Sequence, residues 1–219
     1  MDWLIFDFET LHNVPWNTSV ISLAFIAGNW DEVTFESIEK NGIDFLKERG
    51  EEYFFDLKNQ KTAYDRVIGE ETKKWWESQS KEAKDRVFRN NHEKHDLSKL
   101  PELFSEYCKK HGVHKDTKIL LRGPDFDHTI MLSIFGYFNR NLPYNHWNLR
   151  DIRTIVDVVA GSGYIFKFND YCNTKFDLVA HDALHDCIRD ILQVSFVLQN
   201  DSSVLKEDYK KYGMWLKEW

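Results

Sequence analysis

The sequence lacks the features that define disulfide-rich proteins, zinc-knuckle proteins and membrane proteins. Its three cysteines form no CxxC pair and leave an odd thiol, which argues against a disulfide framework and a zinc knuckle. No apolar run approaches the roughly 20 residues that a spanning helix needs, and no basic segment followed by an apolar one resembles an export signal. We therefore expect a cytoplasmic protein without a membrane segment.

An excess of basic charge is also absent. The formal net charge of -7 argues against a protein that coats nucleic acid through a broad basic surface, because such binding needs clustered Lys and Arg. It leaves open an enzyme that meets phosphate through metal ions, since carboxylates around bound cations make the formal charge overstate the negative field. With 42% hydrophobic residues the chain can bury a full core. We expect a single domain over 1–219, in which 200–219 is a charged tail of uncertain order.

The pattern of apolar residues predicts an α/β fold. Alternation indicates strands at 3–8, 19–27 and 32–38, which would form an N-terminal meander of three strands. A further apolar run at 118–123 leads through Pro124 into a helical pattern, as a crossover strand followed by a helix would. Helical spacing also fits 70–87, 98–110, 151–160 and 182–199, whereas 89–99 resembles a loop. These elements predict a mixed central sheet flanked by helices.

The first predicted strand carries two carboxylates. In LIFDFET, Asp7 and Glu9 share one face of the strand and lie roughly 7 Å apart. At 5 to 7 Å two like charges repel by around 2 to 3 kcal/mol at an effective dielectric near 20, and burial adds a desolvation penalty. A cation between them would offset both terms. An isolated D-x-E pair is more often found at the solvent-exposed end of a strand. Whether Asp7 and Glu9 form a cation site therefore depends on whether other acids lie near them.

Two further acids lie near the ends of predicted elements. Asp127 follows the crossover strand in RGPDFD, and Asp186 lies in AHDALHD. His181 would lie about 140° from Asp186 if both were inside one helix. The two converge only if His181 precedes the helix, which Asp182 would permit as an N-cap. The structural alternative for His181 is a histidine at the helix start that bonds to a carbonyl. The structural alternative for Asp186 is a place on a solvated acidic face of the helix.

Together these residues fit the hydrolysis of a phosphodiester. Four carboxylates with few sulfur or imidazole partners favour Mg²⁺ or Mn²⁺ over zinc, and the four are Asp7, Glu9, Asp127 and Asp186. Two such ions about 4 Å apart can stabilise the attacking and leaving oxygens of an in-line displacement. A histidine beside them can take the proton from the attacking water, typically a 10² to 10⁴-fold effect. His181 is the candidate for this general base.

The ordered motifs resemble those of the DEDDh 3′–5′ exonucleases, the DnaQ-like branch of the ribonuclease H-like fold. The matching stretches are FDFET, the FD pair ending at Asp127, and HDALHD. Other stretches resemble the exonuclease A group of T-even bacteriophages: FFDLKNQK, TKKWWESQSKEA, WNLRDIRT and VAHDALHDCIRDIL. The resemblance implies an enzyme that releases 5′-mononucleotides from the 3′ end of single-stranded DNA. It also implies that the enzyme needs two divalent metal ions. If the chain is phage-encoded, the implied location is the host cytoplasm.

The resemblance gives each site residue a role. Asp7 would bridge both ions, Glu9 and Asp186 would complete one, Asp127 would hold the other partly through water, and His181 would be the general base. Asp125 is a rival for the second motif, although the Phe-Asp pair and the helix that follows favour Asp127. Asp182 stands where many relatives carry Asn.

Contacts to the substrate are predicted at two further places. Thr10 and Leu11 follow the first motif, where relatives use a backbone amide and an apolar wedge at the terminal nucleotide. A stacking wall for bases is predicted from Trp75, Trp76 and Gln79, since stacking on an aromatic ring is worth roughly 1 to 3 kcal/mol per base. Adjacent helical residues point about 100° apart, so at least one of the two tryptophans should pack into the core.

Arg122 and Arg150 are the candidates for a phosphate contact. An ion pair between one of these arginines and nearby Asp151 or Asp157 is an equally good explanation.

Three alternatives to a DNA exonuclease stay open. An oligoribonuclease or tRNA-trimming enzyme would use the same site and differ in whether its pocket accepts a 2′-hydroxyl. A non-catalytic nucleic-acid-binding module usually lacks one of the acids or the histidine, and here all five are present. A structural calcium site would call for a D-x-D-x-D-G loop, which the sequence does not contain.

Overall fold

A six-stranded mixed sheet forms the centre of the molecule. The computed structural model describes residues 1–89, 91–160 and 164–199, and the predicted tail at 200–219 lies outside these described residues. The strands are β1 (Trp3–Thr10), β2 (Val20–Gly28), β3 (Glu51–Phe55), β4 (Lys94–His95), β5 (Lys118–Leu121) and β6 (Leu149–Asp151). Their order is β4-β3-β2-β1-β5-β6. The first three strands pair antiparallel, and β5 lies parallel to β1 on its other side. The predicted fold class is confirmed.

Helices cover both faces of this sheet. They are α1 (Phe35–Asn41), α2 (Asp44–Arg49), α3 (Leu57–Tyr64), α4 (Glu70–Ser78), α5 (Lys81–Val87), α6 (Leu100–Lys110), α7 (Pro124–Tyr137), α8 (Ile152–Ala160), α9 (Tyr164–Phe176) and α10 (Ala183–Gln199). Within the described part of the chain, none of these helices combines the length and the apolar character needed to cross a bilayer.

The third strand of the meander was predicted at the wrong place. The segment 32–38 alternates in polarity, but it leads into helix α1 instead. Thr34 caps this helix, because its Oγ1 accepts a hydrogen bond from the amide of Ser37 at 3.0 Å while Ser37 Oγ accepts one from the amide of Thr34 at 2.9 Å. This capping box stabilises the helix start more than alternation favours a strand. The strand beside β2 is β3.

The helix predicted over 70–87 is two helices. Gln79 is extended between them, and the hydroxyl of Ser80 accepts a hydrogen bond from the amide of Ala83 at 3.1 Å to cap α5. The helices predicted at 98–110, 151–160 and 182–199 are confirmed as α6, α8 and α10. The segment 89–99, predicted as a loop, contains β4 and a short 3₁₀ turn.

Strand β1 contributes to a separate hydrophobic core on each face. Trp3 and Ile5 pack with residues of α8, α9 and α10, whereas Leu4 and Phe6 pack with residues of α6 and α7. Asp7 and Glu9 continue the face of Trp3 and Ile5. The alternation of β1 therefore directs both carboxylates toward the side of the sheet covered by α10.

Candidate active site

The acid of the second motif is bonded directly to the first motif. Helix α7 follows Gly123, whose φ of 82° is left-handed, and it has Pro124 in its first turn. Asp127 is buried one turn into this helix, and its Oδ1 accepts a hydrogen bond of 3.2 Å from the amide of Phe8. Phe8 lies between Asp7 and Glu9. Asp125, the rival for this motif, is exposed to solvent.

The third motif meets the first at the start of α10. His181 precedes the helix with a left-handed φ of 61°. Asp182 caps the helix, because its Oδ1 accepts a hydrogen bond from the amide of His185 at 2.9 Å. Glu9, His181 and Asp186 each offer one atom that could bind a metal, and these three atoms lie within 4.8 Å of one another. The two residues thus converge because His181 stands outside the helix, as the sequence required.

The clustered carboxylates hold their protons more strongly than isolated acids do. Burial raises the pKa of Asp7 and Glu9 well above the usual range, and the charges of Asp127 and Asp186 raise them further. Burial likewise raises the pKa of Asp127 to about 7 and that of Asp186 to about 6. The guanidinium of Arg189 lies 2.5 Å from Asp186 and offsets part of this charge. Desolvated oxygen ligands that repel one another fit divalent cations.

A polar network supports the loop that carries His181. Arg86 on α5 forms an ion pair with Asp182, and its Nη2 lies 3.1 Å from Nε2 of His185. Nδ1 of His185 accepts a hydrogen bond of 2.9 Å from the amide of Val179. No sequence pattern predicts this network, because Arg86 and Asp182 are 96 residues apart. It ties α5 to the turn before α10.

A cavity of about 500 Å³ opens beside the acids. It is lined by Phe8, Glu9, Thr10, His12, Asn13, Glu71, Thr72, Trp75 and Phe126. Trp75 is 42% exposed, and the centroid of its ring lies 4.7 Å from that of His181. Trp76 is 3% exposed and donates a hydrogen bond from Nε1 to the carbonyl of Thr10 at 2.9 Å. As predicted, one of the two tryptophans packs into the core.

The other predicted substrate contacts have partners inside the protein. Leu11 is buried in a small cluster with Trp76, and Gln79 donates from Nε2 to the carbonyl of Trp75 at 3.1 Å. Neither alternative for Arg122, a free phosphate contact or an ion pair with Asp151 or Asp157, matches its contacts among the described residues. Arg122 binds Asp190 on α10, with Nε 2.8 Å from Oδ1. Arg122 is thereby tied to the helix that carries Asp186.

A family model described as the 3′–5′ exoribonuclease Rv2179c-like domain matches residues 3–198. The chain belongs to this family. It is a DnaQ-like 3′–5′ exonuclease, and therefore a hydrolase that acts on nucleic acid. The exonuclease is 28% identical over 213 residues to the exodeoxyribonuclease of Enterobacteria phage T4, which covers 89% of this chain and 88% of the phage protein.

Two solved structures of E. coli exonuclease I share the fold of this exonuclease. The complex with a dT13 oligonucleotide gives a TM-score of 0.57 at 16% identity, covering 99% of this chain and 46% of the other. The zinc ion bound form of the complex with single-stranded DNA gives a TM-score of 0.51 at 12% sequence identity. This match covers 96% of this chain and 41% of exonuclease I. The exonuclease thus spans less than half the length of exonuclease I. The predicted ribonuclease H-like fold is confirmed.

Without metal ions, the exonuclease should become less stable as pH rises from 6.5 to 8. Burial raises the pKa of Asp127 to about 7 and that of Glu52 to about 8, so the folded state keeps protons that the unfolded chain has lost near pH 4. The folded state loses this stabilisation as Asp127 and Glu52 release their protons between pH 6.5 and 8. The histidines whose pKa is lowered in the folded state act in the opposite direction, because the unfolded imidazoles are about half protonated at pH 6.5 and lose these protons by pH 8, which reduces the net loss of stability.

We expect a net loss of about 1 kcal/mol in the free energy of unfolding, measured by urea denaturation in EDTA at both pH values. If Mg²⁺ binds the folded carboxylates preferentially, it should reduce the loss. Asp127→Asn is the matched variant and should make the pH dependence shallower, because Glu52 still titrates. A wild-type stability that does not change with pH in EDTA would contradict the prediction.

Proposed function

We propose that the exonuclease is of the DEDDh type and removes 5′-mononucleotides from the 3′ end of single-stranded DNA, using two divalent metal ions and His181 as general base. The observation that carries this proposal is the convergence of Glu9, His181 and Asp186 within 4.8 Å, next to Asp7 and Asp127. The substrate is supported by the phage relative, which is an exodeoxyribonuclease matched over nearly its whole length.

Four carboxylates would hold the cations, either Mg²⁺ or Mn²⁺: Asp7, Glu9, Asp127 and Asp186. Their burial and mutual repulsion support this assignment, because a charged cluster of this kind is unfavourable without counterions. When bound, divalent ions stabilise the negative charge that develops on the phosphodiester oxygens. The zinc form of exonuclease I is a relative of this fold with a bound metal ion.

His181 would move the proton in the reaction. Burial first, and then the charge of Arg189, lower the pKa of His181 below its usual value, so the imidazole is neutral at pH 7 and can accept a proton. It would take this proton from the water that attacks phosphorus. The bond from phosphorus to the 3′ oxygen of the preceding nucleotide then breaks, which releases a 5′-mononucleotide. Arg86 and Asp182 would keep His181 at the start of α10.

Trp75 would stack against the terminal base. Trp75→Ala should raise KM about tenfold with little change in stability, since stacking on an exposed ring contributes roughly 1 to 3 kcal/mol. Trp76→Ala is the neighbouring control. It should lower the free energy of unfolding by about 3 to 5 kcal/mol, because it leaves a cavity in the core. Kinetics and urea denaturation of both variants test the pair, and an unchanged KM in Trp75→Ala would exclude the stacking role.

Digestion of end-labelled DNA tests the proposed function. Single-stranded DNA carrying a 3′ label should release labelled mononucleotide at once in Mg²⁺, whereas a 5′ label should shorten through a ladder. EDTA should stop both reactions, and Mg²⁺ or Mn²⁺ should restore them. Release of the 5′ label first, or cleavage only within the strand, would overturn the proposal.

The family description favours RNA as a second candidate substrate, since it names an exoribonuclease. A DNA oligonucleotide, an RNA of the same sequence and a DNA with one ribonucleotide at its 3′ end separate the two. A preference for DNA should appear as slow removal of the single ribonucleotide followed by fast digestion. Faster digestion of the RNA would assign the enzyme to ribonucleic acid instead.

A further inference from the structure

A second cavity, of about 260 Å³, lies on the other end of α7. Trp16, Tyr137 and Arg66 are among its lining residues, with Ser133 and Gly136 of α7. Trp16 is 64% exposed, and Tyr137 is also exposed. The cavity therefore combines aromatic surface with a guanidinium, which is the composition that binds single-stranded nucleic acid without regard to sequence.

Arg66 is a buried cation whose charge has no carboxylate partner among the described residues. It is 3% exposed, and its Nη1 donates to the carbonyl of Trp16 at 3.2 Å and to Ser133 Oγ at 2.9 Å. Its Nε is buried and has no hydrogen-bond partner within the described ranges. Asp65 lies on the rim and is exposed, without an ion pair to Arg66. A buried guanidinium without an anion is unfavourable, and a phosphate would supply the missing charge.

One face of α7 connects this cavity with the active site. Phe126 lines the cavity beside the acids, and Ser133 and Tyr137 line the second one. The three residues occupy positions i, i+7 and i+11, which lie on one side of a helix. At 1.5 Å per residue, Ser133 and Tyr137 stand about 10 and 16 Å along the axis from Phe126. A stacked strand covers this distance in about three to five nucleotides.

We propose that this second cavity is an upstream subsite for the nucleic-acid strand. A base about three to five nucleotides from the 3′ end stacks on Trp16 and Tyr137, and a backbone phosphate faces Arg66. The inference rests on the proposed function, since it requires a strand whose 3′ end lies at the acid cluster. Its consequence is that a strand long enough to reach Arg66 binds more tightly than a shorter one.

Comparison of a decanucleotide with a trinucleotide of single-stranded DNA tests the subsite. The wild type should show a lower KM for the decanucleotide. Trp16→Ala should raise that KM about tenfold and leave kcat and the trinucleotide KM unchanged. Trp147→Ala is the matched control, because Trp147 is also 64% exposed and lines neither cavity. It should change neither value.

A second variant fills the cavity without disturbing the fold. A Cβ added at Gly136 meets no atom within 4 Å, so Gly136→Glu projects into open space and brings a carboxylate toward Arg66. We expect the same selective rise in the decanucleotide KM, with Gly136→Ala as the control. A KM that does not depend on length, or a rise equal for both lengths, would overturn the subsite. Failure of the wild type to digest either strand would instead refute the proposed function.

Discussion

Asp7→Asn should abolish exonuclease activity and at the same time stabilise the metal-free protein. If Asp7 bridges both cations, an amide in its place removes a ligand from each, and we expect kcat to fall at least about 10³-fold, or about 4 kcal/mol of transition-state stabilisation. The stability gain follows from the surroundings of Asp7. Burial raises the pKa of Asp7 most, and the charges of Asp127, Asp186, Glu9 and Asp190 raise it further, so an amide removes both the desolvation cost and these four repulsions.

Activity on labelled DNA and urea denaturation in EDTA measure the two effects in one preparation. Asp125→Asn is the matched control, since Asp125 lies two residues from Asp127 but is exposed. It should leave both activity and stability near the wild-type values. An active Asp7→Asn enzyme, or one destabilised in EDTA, would show that Asp7 does not belong to a metal-binding cluster.

Removal of His181 should reduce kcat by about 10² to 10⁴-fold and leave KM nearly unchanged. Glycine is the best replacement, because the backbone at His181 has a φ of 61°, which glycine adopts without strain. The space left by the ring also suits an external base. Added imidazole should therefore restore part of the lost rate in His181→Gly.

The pH profile gives an independent check on His181. The wild type should keep its rate as pH falls to 6.5 and lose it below, because burial lowers the pKa of this histidine and the base must be neutral. In His181→Gly the plateau above pH 6.5 should disappear, and the residual activity should rise steadily with hydroxide concentration. His114→Gln, at an exposed position, is the control. An unchanged kcat, or the wild-type plateau and decline in His181→Gly, would show that His181 is not the general base.

Local patterns predicted those parts of the molecule in which neighbouring residues decide the outcome. The two faces of β1 follow from its alternation, so the direction of Asp7 and Glu9 was predictable. The position of His181 outside α10 followed from the angle between residues on a helix. The misplaced third strand has a local cause too, since the caps at Thr34 and Ser80 outweigh periodicity in their segments.

Partners that are distant in sequence were not predictable from spacing. Arg122 was assigned to phosphate or to nearby acids, yet its partner Asp190 lies 68 residues away on a helix above the sheet. Arg66 drew no interpretation, because only the assembled structure reveals that no carboxylate among the described residues accompanies it. Long-range pairing of charges depends on which elements the fold brings together.

Strand β1 and helix α10 lie near opposite ends of the described chain, and the acid cluster draws on both. During translation β1 leaves the ribosome well before α10, so His181 and Asp186 can join Glu9 only after most of the described chain has been synthesised. A nascent chain that has not yet reached α10 therefore has no complete cluster while it lies beside messenger and ribosomal RNA. If this cluster is the active site, the order of the motifs postpones nuclease activity until α10 has packed onto the sheet.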